Sequence, residues 1–204
     1  MSIYLETDSI YHPDLRFAYF EDNDQLRFTK SNNYTSGVPF TNSYHKINMN
    51  FEQLIWRRGS GEMFIQPTIG TSIGQASFES DNFFNMQYYE ELQGMDYTHP
   101  LVALWQFSKS VKGIRKFSVD AYANNLGLPA YQVRHQLMKL SRMGFLFYDD
   151  VSDNVSLKDK LFYYLDASVG RTDYDVLFFN SRIEAPNNNG SIDLKNFDLT
   201  INGV

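Results

Sequence analysis

The side chains best suited to hold a metal or move a proton near neutral pH are four histidines, His12, His45, His99 and His135. They are far apart in sequence, and none belongs to the i, i+4 pair that puts two imidazoles on one helix face. The chain has no cysteine, which excludes disulfides, thiolate zinc sites and a cysteine nucleophile, without fixing a compartment. Gly70-x-x-x-Gly74 lacks the Lys-Ser/Thr that completes a phosphate loop, and neither G-x-G-x-x-G nor G-x-S-x-G occurs. Asp22/Asp24, Asp149/Asp150 and Asp173/Asp175 could share acid and base roles. Each pair falls near a predicted turn or strand end, where aspartate serves the backbone. Asn33-Tyr-Thr, Asn154-Val-Ser and Asn189-Gly-Ser match the glycosylation pattern, as chance allows in a chain with 17 asparagines. These residues predict no catalytic group, no metal and no cofactor, and they make a small-molecule substrate unexpected.

The elements that must position any site begin with composition. At 204 residues, 43% hydrophobic and 21% charged, the chain is long enough for one or two domains with a buried core. No apolar run approaches the ~18 residues of a membrane span, so no membrane insertion is expected. There is no signal peptide pattern. The net charge of −6 is unevenly spread: residues 1–97 carry −7, residues 98–144 carry +6, and residues 145–204 carry −5. The central basic block reads as a polyanion-binding patch, as a surface docking on acidic parts of the same molecule, or as solvated helix faces.

An antiparallel β-rich module is expected over residues 1–90. Leu15 to Phe20 and Gln25 to Lys30 flank the turn-prone Glu21-Asp22-Asn23-Asp24, a hairpin. Tyr44 to Trp56 alternates until it slips near Glu52-Gln53, which predicts a bulge or an end of pairing. Gly59-Ser60-Gly61 is a loop tip, and Met63 to Ile65 returns as a strand limited by Pro67. The expected arrangement is an antiparallel meander. Gln87 to Gln93 could form a short helix, and residues 91–97 are expected as a linker.

From Thr98 the period becomes helical. Leu101, Leu104, Trp105, Ser108 and Val111 share a face, with Pro100 in the first turn. Ser118 is placed to cap a second helix, with a Phe117–Tyr122 staple, and Gly127 ends it. Pro129 opens a third helix that stops at Gly144. Phe145 to Tyr148 then reads as a strand, Asp153-Asn154 as a turn, and Val155 to Leu165 as the stretch containing the returning strand.

The run from Ser118 to Gly144, with Ala123, Leu126, Gly127, Val133, Leu137, Leu140 and Gly144 at its small, apolar and turn positions, resembles the core of winged-helix domains. That resemblance spans residues 98–167 and implies a helix-turn-helix with a hairpin wing that binds DNA, RNA or protein. On the third helix Ala130, Val133, Leu137 and Leu140 form the buried stripe. Tyr131, Gln132, Arg134, His135, Met138, Lys139 and Arg142 form the candidate interaction face. Lys109, Lys112, Arg115 and Lys116 are candidate polyanion contacts around the first inter-helix turn. Asp149, Asp150 and Asp153 at the wing tip would repel phosphate. Tyr131 and Met138 within a basic rim suit a protein partner better than a groove of DNA.

Residues 168–204 are expected as a strand-forming tail. It comprises Tyr174 to Asn180, a polar loop from Pro186 through Asn187-Asn188-Asn189-Gly190, and Ile192 to Ile201 with a shift between Leu194 and Phe197. A chain that begins and ends in strands resembles an excised segment of a large uncharacterised bacterial envelope protein, so the cell envelope is favoured over the cytoplasm. The fold class expected is α+β: an antiparallel β module, a winged helix and a β-strand tail. The expected function is a non-catalytic interaction or structural module that contacts protein or other domains of its parent chain. The alternative is a DNA-binding transcriptional regulator.

Overall fold

A computed structural model describes residues 2–5, 7–31, 37–68, 74–94, 97–184 and 187–204. Among them the chain is mixed α+β, with five helices and three antiparallel sheets. Contacts divide it into two units. The first comprises residues 1–81 with 177–204, and the second residues 82–176.

The first unit is built from nine strands, to which the end of the chain adds three. These are β1 (Ser2–Leu5), β2 (Asp8–Tyr11), β3 (Leu15–Phe20), β4 (Gln25–Lys30), β5 (Phe40–Asn42), β6 (Ile47–Asn50), β7 (Gln53–Arg57), β8 (Glu62–Gln66) and β9 (Gly74–Ser80). The β3–β4 hairpin forms where its turn residues place it, with Asp24 in the left-handed conformation. The expected meander is replaced by two sheets. The alternation slip at Glu52-Gln53 is where the chain leaves β6 in one sheet and begins β7 in the other. Such a crossing inverts which side chains face the core, so a sandwich corner and a bulge leave the same trace in a sequence.

The second unit begins with α1 (Met86–Gln93), capped by the Asn85 side chain on the amide of Tyr88. The expected linker at 91–97 therefore overlaps the end of a helix. Then follow α2 (Pro100–Ser110), β10 (Lys116–Ser118), α3 (Val119–Leu126), α4 (Ala130–Arg142), β11 (Leu146–Asp149), β12 (Asn154–Leu157) and α5 (Asp159–Ser168). Pro100 sits in the first turn of α2, Ser118 Oγ accepts from the amide of Ala121, and Gly127 closes α3 at φ +66°. Phe117 and Tyr122 make the staple, with ring centroids 5.9 Å apart. The three strands order as β10-β12-β11. The stretch 155–165, expected to contain the returning strand, holds most of β12 and then the start of α5, a helix not expected there. Leu161, Tyr164 and Ala167 of that helix are buried at a spacing of three.

One core joins all five helices and the small sheet. Leu101, Leu104, Val119, Tyr122, Leu137 and Phe145 are at most 1% exposed within it. Lys160 is buried too, and its ammonium donates to the carbonyl of Met143 at the C-terminus of α4. Among the described residues of this core, the Tyr122 hydroxyl is buried with no hydrogen-bond partner, and burial pushes it above its ordinary pKa. Tyr122→Phe removes that unpaired group with little change in shape. It is expected to raise the unfolding free energy by about 1 kcal/mol, read as a shift of the urea midpoint at unchanged slope.

The chain then returns to the first unit as β13 (Phe178–Ile183), β14 (Gly190–Asp193) and β15 (Leu199–Ile201). The expected tail is integral to both sheets. One sheet runs β1-β2-β5-β6-β9-β13 and the other β15-β14-β8-β7-β4-β3. Ile10, Phe40, Met49 and Phe78 from the first and Leu54, Met63, Ile65 and Ile192 from the second share a single core. The shift between Leu194 and Phe197 is the turn of the β14–β15 hairpin, where Asp193 accepts from the amides of Lys195 and Asn196. Gly190 has no room for a Cβ, which would lie 2.3 Å from the carbonyl oxygen of Thr200. The second unit is thus inserted between two neighbouring strands. Phe178 of β13 pairs with Glu79 of β9, and within the insert Phe83 bridges Asp175.

Candidate functional site

Helix α4 has a hydrophobic and a polar face, and its buried stripe is Val133, Leu137, Leu140 and Ser141. Its other side places Tyr131, Gln132, His135, Lys139 and Arg142 in solvent, with Tyr131 68% exposed. Gln132 donates to the Tyr131 hydroxyl. Met138 is half-buried, so it contributes less of that face than the helical period suggests.

Arg134 is not available to a ligand in the way its helix position implies. Its Nε and Nη2 form a two-pronged contact with Asp153, at 3.1 Å to Oδ1 and 2.6 Å to Oδ2. Asp120 of α3 lies 3.8 Å from the same guanidinium. The Tyr148 hydroxyl donates to Asp153 Oδ1 at 2.9 Å. The Arg134 contact, with Tyr148 adding a donor, holds the Asp153 carboxyl below the usual carboxylate range. Burial first, and then the Asp153 carboxylate, pushes the Tyr148 phenol up to about 12. Asp153 can take this position because it adopts φ +52° at the end of the β11–β12 turn.

The clamp has a testable consequence. Asp153→Asn keeps the shape but loses the charge, and should free Arg134 and loosen the hairpin. Faster amide hydrogen exchange in β11 and β12, with α2 unchanged, is the expected result.

At the tip of the hairpin, Asp149 accepts from the amides of Val151 and Ser152 and from the Ser152 hydroxyl, which holds its carboxyl low. Asp150 is exposed beside it, and Val151 is 93% exposed. Among the basic residues near the α2–β10 turn, Lys112 and Lys116 are exposed. Lys109 lies over the Trp105 ring at 4.0 Å. Arg115 is engaged by Asp159 and lies 4.3 Å over the Phe162 ring.

Beside α4 lies a groove of about 500 Å³ that sequence reasoning did not anticipate. Gln132, His135 and Lys139 form one wall, and Thr98, Leu126 and Leu128 complete the rim and floor. Leu128, 46% exposed in the turn between α3 and α4, was its one sequence signal: an apolar residue in a short turn that the core does not need.

The remaining residues with chemistry serve structure. His12 is fully buried. The amide of Asp14 donates to its Nδ1, and its Nε2 donates to the Val38 carbonyl. His99 caps α2 through Nδ1, donates to the Tyr89 carbonyl and stacks on the Tyr89 ring at 3.9 Å. His45 donates to the carbonyl of Phe197. Asp24 accepts from the Tyr19 hydroxyl and pairs with Arg58, and Asp175 accepts from the amide of Val176. Asn189 is buried, bonding Ser181 Oγ and the Gly74 carbonyl. Gly70, Asn33 and Pro186 lie outside the described residues. Among the described residues no three His, Asp or Glu side chains converge as a metal would need, and no helix is long and apolar enough to cross a membrane.

Comparison with family models, with curated proteins and with solved structures finds no match for the chain.

Proposed function

We propose that the second unit is a winged helix, with α3 and α4 as its helix-turn-helix and β11–β12 as its wing, and that it acts as a non-catalytic module binding protein. The order α2-β10-α3-α4-β11-β12 and the three-stranded β10-β12-β11 sheet support the fold reading. The Arg134–Asp153 contact carries the functional one. The arginine best placed for base edges is neutralised by the wing, and the wing tip itself is acidic. What α4 leaves exposed is an aromatic anchor, Tyr131, with an amide and basic rim beside an apolar-floored groove.

The DNA-binding reading retains one specific support: Lys112, Lys116, Lys139 and Arg142 are all exposed on this unit. Two measurements separate the readings. Fluorescence anisotropy with a random-sequence duplex at low salt should show no association. A photo-crosslinking residue at Tyr131 should capture a polypeptide in the source cell that the same residue at the fully exposed Tyr97 does not. Duplex binding that falls steeply with salt and disappears in Lys139→Glu/Arg142→Glu would replace this proposal with the regulator.

A further inference from the structure

The first unit contains a buried lysine that, among the described residues, has no carboxylate partner, and it borders a cavity. Lys30 ends β4 on the inward side of the strand and is only 7% exposed. Its ammonium donates to Asn50 Oδ1 and stands 5.5 Å from the centre of the Phe40 ring. Neither neighbour neutralises its charge, and burial pushes its pKa down to about 8. A buried ammonium held by one neutral oxygen and a ring face is costly, and a bound anion would offset that cost.

Lys30 lines an open cavity of about 540 Å³ between strands of the two sheets, within the size range of small-molecule sites. The rest of the lining is unusual for such a site. Amides come from Asn50, Gln75 and Asn180, and hydroxyls from Thr29, Thr68 and Ser77. Asn50, Thr68, Gln75 and Asn180 are exposed at the rim, whereas Phe51 and Ala76 are buried. Phe51 is stacked on Phe40 with ring centroids 4.3 Å apart, part of the core that backs the cavity. Glu52, also in the lining, accepts from the amide of Thr68 and sets a limit on the negative charge a ligand can bring.

We infer that this cavity binds an acidic monosaccharide, its single carboxylate on Lys30 and its hydroxyls among the rim amides and alcohols. With one cation and one carboxylate in the lining, the cavity meets a monoanion at less electrostatic cost than a phosphate dianion. Side chains that both donate and accept match hydroxyl groups, which do the same. The inference concerns the β unit and is independent of the role proposed for α4.

Titration calorimetry on the full chain tests it, using D-glucuronate, D-galacturonate and N-acetylneuraminate against D-glucose, acetate and inorganic phosphate. At least one acidic sugar should bind saturably, with glucose, acetate and phosphate weaker by about tenfold or more, the scale of one charge-assisted hydrogen bond. Lys30→Met, which keeps the aliphatic stem, should abolish the preference for the acidic sugar over glucose. Gln75→Ala and Asn180→Ala, whose side chains are exposed at the rim, should each weaken the acidic sugar, and they carry the test if Lys30→Met does not fold by circular dichroism. Absence of binding by all three acidic sugars at about 10 mM, a range that covers weak binding, overturns the inference. So does affinity unchanged in a folded Lys30→Met, or acetate or phosphate binding as tightly as the sugar.

Discussion

Leu137→Ala is expected to cost the second unit about 2–5 kcal/mol, a large part of what a unit of its size has. Leu137 is fully buried on α4, in the core that also contains Leu104, Tyr122 and Phe145. Its removal leaves a cavity between elements that capping and turn residues fix independently, so the site cannot readily collapse around the gap. The two tryptophans make the effect separable, because Trp56 lies in the first unit and Trp105 in the second. In a Trp56→Phe background, urea unfolding followed by Trp105 fluorescence should show the full loss. Leu128→Ala, at an exposed turn position, should move the same transition by less than about 0.5 kcal/mol. A Leu137→Ala variant as stable as its parent would mean that α4 does not pack through this stripe.

Acid should destabilise the first unit well before its carboxylates are protonated. Burial, reinforced by the charge of Lys30, pushes the His12 imidazole down to about 4. The unfolded chain binds a proton at His12 near pH 6.5, while the folded chain refuses it until about pH 4. Its contribution is therefore fully present above pH 6.5, declines as pH falls through that window, and is gone below about pH 4. The shift corresponds to about 3 kcal/mol. Urea midpoints reported by Trp56 in a Trp105→Phe background, measured from pH 7 to pH 4, should fall steeply. His12→Asn, which keeps a donor and an acceptor but cannot titrate, should be less stable at pH 7 and show a shallower decline. Parallel slopes for the two proteins would remove His12 from the account.

Local features of the fold could be read from the sequence because their causes are local. Ser118, Gly127, Pro100 and the Glu21–Asp24 turn act within a few residues, and each occupies its expected place. The two-sheet arrangement was hidden because strand order is non-local: β13 meets β9 about a hundred residues earlier, and no short-range pattern encodes that. Helix α5 was obscured by Phe162-Tyr163-Tyr164, residues with high strand propensity, although Leu161, Tyr164 and Ala167 keep a helical spacing. Composition and period located the face of α4, but not the fate of Arg134. Its partner Asp153 is nineteen residues away and reaches it only through a left-handed backbone. Lys30 was visible in principle, since Leu26, Phe28 and Lys30 alternate on one side of β4.

The way the second unit interrupts the β9–β13 pair couples the folding of the two. While residues 82–176 are unfolded, pairing Glu79 with Phe178 means closing a loop of roughly a hundred residues; once they fold, Phe83 and Asp175 already hold the ends together. The difference in chain entropy between that loop and a tight turn is about 3 kcal/mol. Damage that unfolds the insert therefore also costs the β9–β13 pairing, although no residue of the host sheets is changed.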